Sequence, residues 1–549
     1  MYDDSIGRGE RQARALVTVV LLVEALWIFF HKYLPLDASL WSLQADAIRQ
    51  HFGGANDGLQ IIPLPAANVL VPFISGLLSF LFSGEVVIRL LAVIIGFFLR
   101  GMAMLSMLRS LRVREATVYF LVPVIVWSGV FFVGNIPYLV GETLAIALVS
   151  FFLRQDRPQS FVYYVLMVGF AIVALCHALA FFAVALITLA VANEQRRSVH
   201  LSQGWLSNFN RVVGLVIPGC VILLLRFITP SPVFMLSTSG FLPSTATAHF
   251  LMTLAVTPHV NEAAFPGSDI LAAVVSGFAV ILALVSLARA FLLPMEEVSW
   301  QSKSSKSAGA ILLAVAIAGY FLYSIGLETS AFIWMALFFV IAASYSRGPA
   351  VRRGAVDRML RTFGFILMIV SGALNGLGTN RGSEASYELR ERAIHLIEGE
   401  HQAAKENDRI DSLDIRAVLD SSVVASSTTG IFPSICYSAT ATTYLYSKGT
   451  ILNRPALYQP RAGWLEHADG KPLLSPADKL PFAGPDEYFN PHVRILAILP
   501  SSGTSSPNFG PYAHGLKDTT GVMFVKAKTS FYLGIGKLQS EHQSGLALR

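Results

Sequence analysis

The sequence predicts a polytopic α-helical membrane protein that carries an exported C-terminal domain of the α/β or α+β class. Three observations predict it. Apolar residues make up 54% of the 549 residues and charged residues only 14%, too apolar for a soluble chain of this length. The basic residues fall in short runs between apolar segments, so the net charge of +6 is read as topology, with no nucleic acid as partner. From about Gly378 onward, runs of spanning length stop, and Ser, Thr, Asp, Pro and Gly become frequent. Residues 1–377 are therefore expected to form the membrane domain and residues 378–549 an exported soluble one.

Arg8, Arg11 and Arg14 precede the first apolar span, Ala15–Phe30, and place the N-terminus in the cytoplasm. No small-residue cleavage site follows that span, so it is expected to be a retained helix and not a signal peptide. An outer loop, residues 31–65, comes next. Leu36, Leu40, Leu43, Ala47 and Ile48 recur at helical spacing and predict an amphipathic helix lying at the membrane surface. Asp37 opens that helix, and Asp46, nine residues on, points roughly the other way. Gly53, Gly54, Asn56-Asp57-Gly58 and Pro63-x-Pro65 break the pattern into turns.

Five further basic loops, Arg109–Arg114, Arg154–Arg157, Arg196–Arg211, Arg289–Lys306 and Arg347–Arg361, are expected in the cytoplasm, so the spans between them come in pairs. Thr117–Arg154 breaks at Gly134-Asn135-Ile136-Pro137, and Phe161–Asn193 breaks near Cys176-His177. Val212–Arg226 leads out, an outer loop runs to about Ser268, and Ile270–Ala288 returns. Ala310–Leu327 pairs with Ala331–Ser344, and Phe363–Leu377 leads out. Between the opening loop and Arg109, Val86–Leu108 is long enough to cross, which leaves Ala66–Phe82 re-entrant or interfacial, or else one loop on the other side. The scheme amounts to about eleven spans.

In the C-terminal part, Glu384–Glu406 has a helical pattern, while YSATATTYLYS, VRILAILP and TGVMFVKAKTSFYLGIG favour strands. Nothing there matches a nucleophile elbow, a phosphate loop or a zinc pattern. Three cysteines, Cys176, Cys220 and Cys436, do not make a disulfide framework.

Several polar residues are expected at the outer ends of spans: Arg89, Asn135, Tyr138, Glu142, His177 and Arg226, with His249, His259, Glu262 and Asp269 in the later outer loop. Ionisable groups beside spans are costly and usually face a cavity or pair with each other. Each also has a simpler role. Asp37 suits a helix N-cap, Arg89 stands four residues after Glu85 at ion-pair spacing, His177 suits a structural hydrogen bond, and Arg226 suits snorkelling to the interface. Arg100, deeper in its span, serves packing or an internal pair. The later loop lacks ligand spacing, with a divalent metal as the alternative reading.

The first span, the acid at the start of an outer amphipathic helix and the "PLP" entry to the next apolar helix are similar to the GT-C membrane glycosyltransferases. GEVVIRLLAVIIGFFLR resembles the "E…RLP…G…R" pattern of the aminoarabinose-transferase and protein-mannosyltransferase branches, with Glu85, Arg89, Leu90, Gly96 and Arg100 matching. Leu91 stands where the pattern has proline, and Ala38 follows Asp37 where the family carries a second acid. "GNIPY" and "CHALAF" also look like that superfamily, and the likeness covers roughly residues 14–200. The resemblance implies transfer of a sugar from a polyprenyl-phosphate donor to a glycan, lipid or protein acceptor at the outer face of the membrane. It implies Asp37 as general base, with Asp46 and Asp57 in reserve, and Arg89 and Arg226 on the lipid phosphate. Asn135, Tyr138, Glu142, His177 and His259 would contact substrate. The residues leave two alternatives open: a lipid or glycan transporter, and a non-catalytic scaffold subunit of an envelope-assembly complex.

Overall fold

The computed structural model describes the backbone of residues 2–33, 35, 38, 41–42, 45, 49, 59–61, 69–154, 160–198, 205–228, 254–257, 268–292, 300–322, 333–345, 355–406, 414–419, 465–467, 493–500, 523–526 and 531–536. Almost all of it is helix. Among the described residues, five helical runs are long and apolar enough to cross a membrane: Gly9–Phe30, Gly84–Ser110, Ile136–Leu153, Ile270–Ala288 and Arg358–Asn380. Shorter apolar helices of 10–17 residues are Ala116–Phe132, Phe161–Cys176, Ala178–Leu189, Val213–Leu225, Lys306–Ala318 and Ile333–Ser344. The chain is an integral membrane protein by this architecture.

Helix α1 (Tyr2–Phe30) is closed by a turn in which Tyr33 N–H bonds Ile28 O at 3.3 Å and Lys32 takes the left-handed conformation at φ 55°. Between α1 and the next helix, the described residues Ala38, Trp41, Ser42 and Ala45 are helical and buried, at helical spacing. Helix α2 (Leu70–Leu78) holds only 9 residues, or about 14 Å, well short of a roughly 30 Å hydrocarbon core. The wider expected segment, Ala66–Phe82, is therefore not one spanning helix. Val69 N–H bonds Leu175 O at 3.1 Å, and Ser79 Oγ donates to Ala45 O at 3.0 Å, so α2 joins the outer loop to the His177 region.

Helix α3 (Gly84–Leu90) starts at Ser83, whose hydroxyl accepts Val86 N–H. It runs without interruption into a π-helical segment, Leu91–Leu99, and then α4 (Arg100–Ser110). Next come α5 (Ala116–Val126), α6 (Gly129–Val133), α7 (Ile136–Leu153), α8 (Ser160–Cys176), α9 (Ala178–Ser198) and α10 (Trp205–Ile228). The last four are α11 (Ser268–Leu292), α12 (Trp300–Leu322), α13 (Ile333–Ser344) and α14 (Ala355–Glu406). Burial sorts them: 78% of the Ile136–Leu153 run is inside the protein, against 33% for Gly9–Phe30. Helix α7 is thus central, and α4, α8, α9 and the π segment pack around it.

Helix α14 continues for 52 residues through the expected boundary at Gly378, joining the expected span Phe363–Leu377 to the expected helix Glu384–Glu406. No proline interrupts Ala355–Glu406, and glycines such as Gly372 and Gly378 weaken a helix by only about 1 kcal/mol each. Residues 254–257 fit between α11 and α14. Val256 N–H bonds Ser276 Oγ at 3.1 Å, and Asn375 Nδ2 donates to Val256 O at 3.0 Å.

Beyond α14 the described backbone consists of strands: β2 (Asp414–Leu419), β3 (Leu465–His467), β4 (Val493–Pro500), β5 (Met523–Lys526) and β6 (Phe531–Gly536). They form a mixed sheet of order β2-β4-β6-β5, in which β2 and β4 are parallel. The remaining strand, β3, pairs antiparallel with β1 (Leu59–Ile61) of the outer loop.

Candidate functional site

The site grows from the turn that opens α7. Gly134 ends α6 in the left-handed conformation, φ 72°, where a side chain is disfavoured. Asn135 follows as the N-cap, its Oδ1 accepting Tyr138 N–H at 3.4 Å, and Pro137 occupies the first turn, where no backbone N–H is needed. The GNIPY stretch is a helix start by these three devices together.

His177 is the single residue between α8 and α9. Its backbone closes one helix and opens the next: His177 N–H bonds Val173 O at 2.9 Å, and Phe181 N–H bonds His177 O at 3.0 Å. Each ring nitrogen lies near a polar group. Nδ1 lies 3.2 Å from Leu179 N–H, and Nε2 lies 3.4 Å from Asn135 Nδ2. A neutral imidazole has one acceptor nitrogen, so the tautomer decides which of the two contacts is a hydrogen bond. The Asn135 amide and the His177 imidazole are both hydrogen-bonding groups suited to a polar ligand such as a hydroxyl or a phosphate oxygen. The Tyr138 ring stands edge-on to the imidazole, centroids 5.3 Å apart at 90°.

Glu142 lies one turn further along the same face of α7. It is buried and paired with Arg100 of α4, Nε to Oε2 at 2.9 Å. That approach is an ion-pair contact outside hydrogen-bond direction, whereas Nη2 donates to Glu142 Oε1 at 3.2 Å. The guanidinium also donates to Val126 O at 3.3 Å and Ser128 Oγ at 3.5 Å, tying the end of α5 to the pair. A polar column therefore runs along the most buried span, from Asn135 and His177 past Tyr138 to Glu142 and Arg100.

Arg89 is buried at the last turn of α3 and pairs with Glu85. Eleven residues are close to three α-helical turns, so a regular helix would stack Arg100 beneath Arg89. The π winding of Leu91–Leu99 takes Arg100 out of that register, toward α7. Thr143 Oγ1 of α7 donates to Ile95 O in the π segment at 3.1 Å. Tyr33, just past α1, is buried, which pushes its hydroxyl well above the usual tyrosine range and keeps it a hydrogen-bond donor.

The structure thus brings together Asn135, Tyr138, His177 and Glu142, and pairs Arg89 with Glu85. Asp37, Asp46, Asp57, His249, His259 and Glu262 lie outside the described residues. So do the side chains of Arg226 and Asp269, whose backbones belong to α10 and α11. Among the described residues, no group of three or more His, Cys, Asp or Glu is placed to hold a metal ion.

Sequence reasoning passed over Glu24. Its carboxyl is buried in α1, against Gly372 of α14, where an added Cβ would overlap Oε1. Among the described residues, neither Glu24 Oε2 nor the buried Trp127 indole nitrogen has a hydrogen bond. The available signal was a lone acid in an otherwise apolar span.

No protein-family model matches this chain, and no curated protein matches it.

Proposed function

We propose that this protein transfers a sugar from a polyprenyl-phosphate-linked donor to an envelope glycan, lipid or protein acceptor at the outer face of the membrane. The observation that carries this reading is the convergence of Asn135, Tyr138 and His177 at one end of the central span, above the buried Arg100–Glu142 pair. Hydrogen-bonding side chains gathered at the mouth of a helical bundle suit recognition of a polar group whose tail lies in lipid.

In this reading the Asp37 carboxylate takes the acceptor hydroxyl's proton as that oxygen bonds to the sugar's anomeric carbon. The bond from that carbon to the phosphate oxygen breaks, and Arg89 and Arg226 offset the charge on the departing polyprenyl phosphate. Asn135, Tyr138, His177 and His259 orient the sugar and the acceptor. Glu142 acts through Arg100, fixing the inner wall of the site. In this reading the six shorter apolar helices cross the membrane together with the five long apolar runs, giving eleven crossings. The N-terminus is cytoplasmic, the chain belongs to a bacterial inner membrane, and the strands beyond α14 form a periplasmic domain that presents the acceptor.

The test uses full-length protein in vesicles containing a panel of polyprenyl-phosphate sugars and an envelope-glycan extract. Mass spectrometry is expected to show free polyprenyl phosphate appearing in step with glycosylated acceptor. Vesicles in which neither product forms would overturn the proposal.

A second reading, a lipid or glycan transporter, is favoured by one observation. Glu24, Arg100 and Glu142 place ionisable groups inside the bundle, where such residues often line a pathway. Movement of fluorescent lipid-linked sugar across the same vesicles, without transfer, would select it.

A further inference from the structure

At the end of α7 opposite Asn135, three helices bring their arginines together. Arg109, Arg112 and Arg114 follow from the last turn of α4, and Arg154 caps α7. The Tyr119 hydroxyl contacts both Val113 O, at 3.1 Å, and Glu10 Oε1, at 3.3 Å, which brings the Arg11 and Arg14 turn of α1 to the same end. Glu10 is engaged by Tyr119, and Glu115 caps α5 through Thr117.

This end is built and not merely basic. Arg154 is held by a ladder of serines: Nε donates to Ser110 Oγ at 3.0 Å and Nη2 to Ser106 Oγ at 2.7 Å. Ser150 Oγ lies 2.7 Å from Ser106 Oγ and 3.0 Å from Ser110 Oγ, which locks the ladder across α4 and α7. Nη1 of Arg154 makes no hydrogen bond among the described residues. Arg112 stands in the left-handed conformation at φ 56°, where a bond from Val113 N–H to Leu108 O holds the turn and the side chain is exposed. Next to Arg11 and Arg14, Leu16 and Val19 present apolar side chains outward along α1. One fixed guanidinium beside exposed arginines, at the rim of an outward-facing apolar surface, suits a ligand with an anionic head and an apolar tail.

We propose that this arginine ring is a docking surface for anionic phospholipid headgroups, distinct from the sugar-transfer site at the other end of α7. The phosphate meets the Arg154 guanidinium, already oriented by the serine ladder, and the exposed arginines beside it, and the acyl chains lie along the outer face of α1.

The experiment uses full-length protein in nanodiscs of phosphatidylcholine with a minor share of phosphatidylglycerol. After gentle solubilisation, the lipids that stay bound are counted by mass spectrometry. Phosphatidylglycerol is expected to be enriched over its bulk share, and Arg109→Gln and Arg112→Gln each to lower that enrichment about fivefold. The enrichment should fall as salt is raised, since exposed charges are screened. Arg154→Lys, which keeps the charge but loses the two-point serine contact, should lower it less than the Gln variants do. Should a Gln variant fail to fold, the salt series on the unmodified protein decides alone. No enrichment, or enrichment indifferent to salt, would overturn the proposal. Displacement of the lipid by soluble glycerol phosphate at equal concentration would overturn the lipid assignment.

Discussion

Arg100 and Glu142, from neighbouring helices, meet at 2.9 Å with 1% of each side chain exposed. Removing one partner leaves the other charge buried and uncompensated, at a cost of about 3–5 kcal/mol, whereas removing both at once costs far less. Arg100→Met and Glu142→Leu should each lower the thermal unfolding temperature of the purified protein sharply, and the double variant should recover much of the loss. Additive losses would show that the pair does not couple α4 to α7.

Asn135 has two separable roles. As N-cap of α7 it is replaceable by Asp, while Asn135→Ala should cost about 1 kcal/mol in unfolding measurements. As a donor beside His177 it is not replaceable by Asp, which presents no N–H. Asn135→Asp should therefore keep stability and lose substrate binding. Unchanged binding by Asn135→Asp would reduce the residue to its capping role.

Gly309 marks the closest approach of α12 to α13. A Cβ there would stand 2.6 Å from Val340 Cγ2, 2.8 Å from the Val340 backbone nitrogen and 3.1 Å from Ala336 O. Backbone atoms cannot swing aside as a side-chain tip can. Gly309→Ala is expected to cost about 1–3 kcal/mol through overpacking, read as a lower unfolding temperature, whereas Gly277→Ala, with open space at its Cβ, should not.

The base is tested by Asp37→Asn beside Asp46→Asn and Asp57→Asn. Asn is nearly isosteric and a good N-cap, so a purely structural Asp37 survives the change. A carboxylate that takes a proton does not, and the expected loss of sugar transfer is about 10²–10⁴-fold with donor binding retained. Loss only in one of the other two variants would move the base there.

Single cysteines at Lys303 and Ser505 test the topology. Positive charge biases loop retention, so Lys303 is expected to be shielded from an impermeant reagent in intact cells and Ser505 to be labelled. Equal labelling of both would overturn the side assignments.

Much of the membrane architecture was legible in the residues because it depends on local quantities. An apolar run either has the length to cross or lacks it, and Gly84–Ser110 and Ile270–Ala288 have it in sequence and structure alike. The break at 134–137 was equally legible, since a left-handed glycine, a capping amide and an early proline act on their own backbone. At Gly378 the local signal and the backbone report different things. A change of composition marked a boundary there, yet a helix ends only where its hydrogen-bond ladder is interrupted, and α14 has no such interruption between Ala355 and Glu406.

What the sequence could not say was who meets whom. Glu142 was singled out as a polar residue near an outer turn, but its partner, Arg100, lies 42 positions away and is brought into reach by the π winding that turns it toward α7. Glu24 acquires meaning only from Gly372 of α14, more than 300 positions on, against which its carboxyl packs. Periodicity records which face of one helix is apolar and carries no information on how two helices are rotated against each other. That rotation is decided by packing, and with it whether a buried charge finds a counter-charge or remains alone.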